Sequence, residues 1–144
     1  MKDRLVTVAE SGNGPYGQVV TAGRHVFGAD EPEAVGGRDT GPDPFELVMA
    51  GLGACTAMTV RMYAERKGWA VRKVTVTLRH ARRVGADGRD TDVFERVLDI
   101  DGDLDAAQRD RLVEIAAKCP VGLTLGRGSE VVTRLAGPAA DAAV

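Results

Sequence analysis

The sequence predicts an α+β domain of antiparallel strands gathered around one long helix. One observation is the stretch Asp43–Lys67, which reads as a single helix with almost no polar stripe. Another is the cluster Ser11-Gly-Asn-Gly-Pro15, turn chemistry between two short apolar runs and so the mark of a hairpin. The third is the order β-β-(β)-α-β-β-α-β, which lacks the regular strand–helix alternation of a doubly wound sheet.

In chain order, residues 4–9 and 16–22 are the two hairpin strands, and Arg24-His25-Val26-Phe27 adds a third. Residues 29–44, rich in Gly, Pro and Asp, form a loop long enough to lie over something rather than merely connect. The helix then begins with Asp43 as N-cap, Pro44 at its first position and Glu46 closing a capping box. Gly68 ends it, after cations placed where the helix dipole favours them. From Leu47 to Val60 nearly every residue is apolar or small, so the helix is expected to be buried on almost all sides, in a core or between subunits.

Beyond Gly68, Val74, Val76 and Leu78 share one face of a strand spanning residues 71–79. Gly85-Ala-Asp-Gly88 turns the chain, and Val93–Ile100 returns, with Val97-Leu98 blurring its alternation. Asp105 and Gln108 open a second helix by another capping box; Leu112, Ile115, Ala116 and Cys119 line its apolar face, and Pro120 ends it. Residues 130–135 read as a last strand and 137–144 as a loose tail, so residues 1–136 form a single domain.

Composition narrows the function. Of 144 residues, 44% are hydrophobic and 28% charged, the mix of a soluble globular domain. A net charge of −2 and 4% aromatic content give no basic surface or stacking platform for nucleic acid, and no attraction to an anionic membrane. The apolar run is broken by glycines and threonines, against a membrane span. Met1-Lys-Asp-Arg-Leu5 lacks the apolar core of a signal peptide, so a cytoplasmic location is expected. There, the two cysteines are free thiols or a redox pair rather than a structural staple. His25 and His80 are far apart, so no metal centre is expected, and the acidic Asp99–Asp105 turn has its glycine misplaced for a calcium loop.

The chemistry therefore rests on Cys55 and Cys119. A free cysteine in an apolar helix is most often a small buried hydrophobe. Here both lie on apolar faces, so packing the two helices together could bring the sulfurs close. A nearby cation would make either a nucleophile. Glu46 serves first as the capping-box residue; Arg24 and Arg38 read as solvated loop arginines. Glu46 and Cys55 are nine residues apart, which puts them on nearly opposite sides of the helix.

The segment Gly41-Pro-Asp-Pro-Phe-Glu-Leu-Val-Met-Ala-Gly-Leu-Gly-Ala-Cys-Thr-Ala-Met-Thr59, followed by Lys118-Cys-Pro-Val121, resembles the OsmC/Ohr superfamily. Arg61-Met-Tyr-Ala-Glu-Arg-Lys-Gly-Trp69 makes it similar to OsmC-like (YhfA-type) members rather than core Ohr enzymes. The resemblance implies an OsmC-like fold, strands wrapping the long central helix with a second cysteine-bearing helix, in an intertwined homodimer. It implies a thiol peroxidase of organic hydroperoxides in oxidative-stress defence, with no bound cofactor and an external dithiol reductant, such as a lipoyl group. Cys55 would be peroxidatic and Cys119 resolving, through a sulfenic acid and a disulfide. Arg38 or Arg24 would activate the thiolate together with Glu46.

The sequence also departs from the family pattern. Where well-studied members carry the activating Glu, ten residues before the first cysteine, this chain has Phe45; Glu46 lies one residue on, roughly 100° around the helix. Where many members carry His-Arg after Cys-Pro-Val, it has Gly122-Leu123. These departures give weight to an alternative: a redox-sensing or hydrophobic-ligand-binding protein of the same fold without peroxidase activity.

Overall fold

The structure is a computed structural model and describes residues 3–137. Its first layer is an antiparallel sheet of β1 (Val6–Glu10), β2 (Gln18–Ala22) and β3 (His25–Ala29), in that order. The turn at residues 11–17 closes the first hairpin with Ser11 N–H donating to Gly17 O. The following loop contains a single 3₁₀ turn, Glu33–Val35, and is pinned by the buried Asp30. That carboxylate accepts from the N–H groups of Glu31, Arg38 and Thr40 and from the Thr40 hydroxyl. The long connection is thus a fixed structure.

Helix α1 (Pro44–Lys67) forms as its caps dictate. The Asp43 side chain accepts from Glu46 N–H, Glu46 reaches back to Asp43 N–H, and Gly68 takes the left-handed C-cap at φ 67°. Its burial is one-sided within the chain. Leu52, Gly53, Thr56, Val60 and Ala64 are buried, whereas Phe45, Val48, Met58 and Met62 stay exposed. Among the described residues α1 is the one helix long and apolar enough to cross a bilayer by length and mean hydropathy. It nevertheless carries Arg61, whose guanidinium donates to the carbonyls of Val71 and Arg72 and ties the helix to the next strand.

That strand, β4 (Ala70–Val84), pairs with β5 (Asp90–Asp103) in a long two-stranded ribbon. A bulge between Val71 and Lys73 rephases β4 so that Val71 and then Val74, Val76, Leu78 and His80 turn to the same side. On β5 the inward set is Phe94, Arg96, Leu98 and Ile100, which settles the blurred stretch with Leu98 in and Val97 out. The ribbon packs on α1. Gly53 lies at this contact, where an added Cβ would stand 2.7 Å from Leu78 Cδ1 and make the leucine turn aside.

The last part differs from the expectation. Helix α2 (Ala106–Ala116) opens with the Asp105–Gln108 capping box but ends before Cys119. Pro120 does not simply stop a helix. It occupies the first position of another, α3 (Pro120–Arg127), with Cys119 as the N-cap. Proline suits that position because its missing N–H would have no intrahelical partner there. Residues 130–135 form no strand: Val131, Val132 and Leu135 are exposed and lack a ladder partner among the described residues. β propensity without a neighbouring edge does not make a strand. Apart from Gly137, the expected tail lies outside the described residues.

The core lies where α1, α2 and the ribbon meet. Val60, Ala64, Val71, Ile100, Leu112 and Ala116 are buried together, with Tyr63, Trp69 and Leu98 packed against them. Arg109 seals one end by donating to the carbonyls of Ile100 and Gly102.

Candidate active site

Cys55 and Cys119 meet at the junction of α1 and α3. Cys119 is fully buried and Cys55 half-buried, and both are free thiols. The helix spacing that places Leu52, Thr56 and Val60 inward leaves Cys55 at the edge of the buried stripe, facing the Cys119 turn. Thr56, the next residue on α1, lies against the second sulfur, which places Cys55 beside it.

The donors collect on Cys119. As N-cap of α3, its Sγ accepts from Gly122 N–H at 3.2 Å, in the place usually held by a serine or aspartate oxygen. Arg96 Nη1 donates to the same sulfur at 3.2 Å and to Thr56 Oγ1 at 2.8 Å. Thr56 Oγ1 lies 3.5 Å from the sulfur and 2.7 Å from the carbonyl of Leu52, one turn back on α1. The hydroxyl has one proton. Given to Leu52, it leaves the Cys119 thiol to act as donor; turned to the sulfur, it solvates a thiolate.

These contacts have a net electrostatic result. Burial pushes the Cys119 thiol up, but the hydrogen bonds from Thr56, Gly122 N–H, Arg96 and the Cys55 thiol outweigh it. The group therefore titrates below the ordinary thiol range. Thiolate stabilisation of this kind contributes fully to folding above the unfolded-state value, about 8.5, and is lost as pH falls through the lowered native value. Cys119→Ser should thus fall further below wild type in urea midpoint at about pH 9 than at about pH 6. A difference independent of pH would mean that Cys119 is an ordinary thiol in the folded chain.

Beside this cluster is a cavity of about 370 Å³ lined by Leu52, Asp92, Phe94, Arg96, Gly122 and Leu125. Its wall continues as a stack in which Phe45 lies on His80 at 4.4 Å between ring centroids and His80 on Phe94 at 4.7 Å. His80 Nε2 and Asp92 Oδ1 are 2.8 Å apart. Phe45 is thus part of an aromatic wall.

The other candidates lie elsewhere in the single chain. Glu46 is exposed and engaged in its capping box. Arg38 is exposed, donates to Asn13 Oδ1 and lies against Gly14; Arg24 is exposed in the β2–β3 turn. Within one chain none of the three joins the cysteines. Arg96 and Thr56, which do, were not singled out from the sequence. The available signal was Phe94-x-Arg96-x-Leu98-x-Ile100, a lone cation in register with an apolar strand face. No group of three or more potential metal ligands occurs among the described residues.

A model of the OsmC-like protein family matches residues 37–134, which include both cysteines, Thr56 and Arg96. The chain belongs to that family. No curated protein matches it. Among solved structures, an OsmC-like protein from Mycoplasma pneumoniae superposes with a TM-score of 0.72 at 17% identity, covering 87% of this chain and 88% of the other. An organic hydroperoxide resistance protein OsmC from Legionella pneumophila gives 0.65 at 20% identity, covering 87% and 90%. The organic hydroperoxide resistance protein OhrB of Bacillus subtilis gives 0.60 at 23%, covering 85% and 89%. The α+β architecture, with its antiparallel strands and long central helix, is the fold these proteins share.

Proposed function

We propose that this OsmC-like protein is a thiol peroxidase that reduces organic hydroperoxides in defence against oxidative stress. The observation that carries the reading is the meeting of two free thiols beside a cavity, one of them surrounded by groups that favour its anion. Family membership and neighbours named for organic hydroperoxide resistance support it. Cys55, the more accessible sulfur, attacks the terminal peroxide oxygen as its thiolate. It becomes a sulfenic acid, and the O–O bond breaks to release the alcohol. Cys119 attacks the Cys55 sulfur, forming a disulfide and expelling hydroxide, which leaves as water. An external dithiol of lipoyl type restores both thiols by exchange. The apolar walls supplied by Leu52, Phe94 and Leu125 accommodate an organic substituent that hydrogen peroxide lacks.

The working unit in this reading is a homodimer of single domains (residues 1–136) in the cytoplasm. The exposed apolar side of α1 and the exposed Val131 and Val132 would then be covered by a second copy.

The test is peroxide consumption with cumene hydroperoxide or hydrogen peroxide and a dithiol, comparing wild type, Cys55→Ser and Cys119→Ser. Turnover should favour the organic peroxide and vanish in Cys55→Ser. Cys119→Ser should consume one equivalent and then stall. Absence of turnover, with Cys55 alkylated no faster than a free thiol, overturns the reading. The position of Phe45, where the family's activating glutamate would be, would then favour the redox-sensing or ligand-binding alternative.

A further inference from the structure

Gly122 and Arg96 are fitted to one another. A Cβ built on Gly122 would stand 3.0 Å from Cys119 Sγ, 3.1 Å from Arg96 Nη1 and 3.3 Å from Nη2. These separations are tight, so a side chain here would make the sulfur or the guanidinium give by a few tenths of an ångström. The bare backbone at this position therefore lets the arginine reach the sulfur.

Arg96 is unusual in the ribbon. Its neighbours on the solvent side pair with carboxylates across the strands, as Arg79 does with Glu95 at 3.0 Å and Arg72 with Asp101 at 2.9 Å. Arg96 points inward and makes no ion pair with a carboxylate among the described residues; its hydrogen bonds go to Thr56 and Cys119. A half-buried guanidinium without an anion favours one nearby. The groups facing Cys119 are Cys55 and Thr56 from α1, Arg96 from β5, and the backbone N–H of Gly122 from α3. Of these only Arg96 carries a fixed charge.

We propose that Arg96, admitted by Gly122, holds Cys119 as the thiolate in the reduced protein, so that the resolving sulfur is ready before Cys55 is oxidised. The proposal rests on the peroxidase reading for its kinetic consequence but not for the thiolate itself. Once Cys55 is a sulfenic acid, Cys119–S⁻ attacks its sulfur. The S–S bond forms, the S–O bond breaks, and hydroxide leaves to take up a solvent proton. The two electrons that reduced the peroxide have come from the sulfur pair, and no further reactant is needed. Arg96 touches no substrate in this step and is a positioning residue for the nucleophile.

The experiment has two readouts on wild type, Arg96→Gln, Arg96→Lys and Gly122→Ala. Ultraviolet thiolate absorbance of the reduced proteins, each referenced to its own Cys119→Ser partner, gives the titration of Cys119 without any peroxide. Single-turnover mixing with one equivalent of cumene hydroperoxide, with sulfenic acid trapped at intervals, gives the rate of disulfide closure. Arg96→Gln should move the titration toward or above the ordinary thiol range. Below that range, disulfide closure should slow by about three- to fourfold for each pH unit of displacement, because the thiolate that remains is a better nucleophile. Arg96→Lys should recover part of both effects, which a merely structural loss would not allow, and Gly122→Ala should move both readouts in the direction of Arg96→Gln but by less. An Arg96→Gln protein that titrates and closes like wild type overturns the proposal. If no sulfenic acid forms in any variant but the titration still depends on Arg96, the peroxidase reading fails and the assignment of the thiolate stands.

Discussion

Leu112→Ala is expected to lower the free energy of unfolding by about 2–5 kcal/mol, the range for deleting a fully enclosed leucine. Leu112 has no exposed surface and lies among Val60, Ala64, Val71, Ile100 and Ala116, which come from three directions. These neighbours are β-branched or small and belong to elements fixed by capping boxes and the long ladder, so the vacated space cannot readily close. Urea denaturation with and without the substitution measures the loss. A change below about 1 kcal/mol would mean that the elements collapse around the alanine and that α2 is less firmly seated than its burial indicates. The position of α2 matters to the site because Cys119 follows directly from its last turn, with Cys119 N–H donating to Ala116 O.

Thr56→Val should affect both stability and chemistry. Valine nearly reproduces the shape but removes the hydroxyl that lies within hydrogen-bond distance of Leu52 O, Arg96 and Cys119. The half-buried guanidinium is left with one partner fewer, a loss of about 1.5–3 kcal/mol for a hydrogen bond to a charged group. Cys119 also loses a hydrogen bond that lowers its titration, so it should titrate higher than in wild type. Thr56→Ser, which keeps the hydroxyl, should stay close to wild type in titration. Denaturation midpoints and thiolate absorbance together check this. If Thr56→Val titrated unchanged, Arg96 and the α3 N-terminus alone would account for the anion.

The parts of this fold written in local chemistry could be read from the sequence. Asp43, Pro44, Glu46 and Gly68 gave both ends of α1, and Asp105 with Gln108 gave the start of α2, because a cap is made by residues three or four apart. The ribbon was visible only at its centre. Val74, Val76 and Leu78 alternate, but Arg82-Arg83 and Asp90-Thr91-Asp92 extend the ladder with exposed polar side chains that carry no apolar period. Helix α3 went unseen because its cap is a cysteine, and Pro120 is equally good evidence for a stop or a start. The site was half legible. The two cysteines stand out by their scarcity and their neighbours. Arg96 reaches Cys119 from 23 residues away and Thr56 from 63, through a packing that no local pattern encodes.

The sulfur that caps α3 can carry charge only while it is reduced. In the proposed reaction it would give up, on joining a disulfide, the negative charge that Gly122 N–H and Arg96 are placed to stabilise, so these contacts would favour the dithiol state over the oxidised one. A pair weighted in this way has a raised reduction potential, and its disulfide is a stronger oxidant toward an incoming dithiol. The same groups that would prepare Cys119 to close the bond would thus also make the bond easier to reopen.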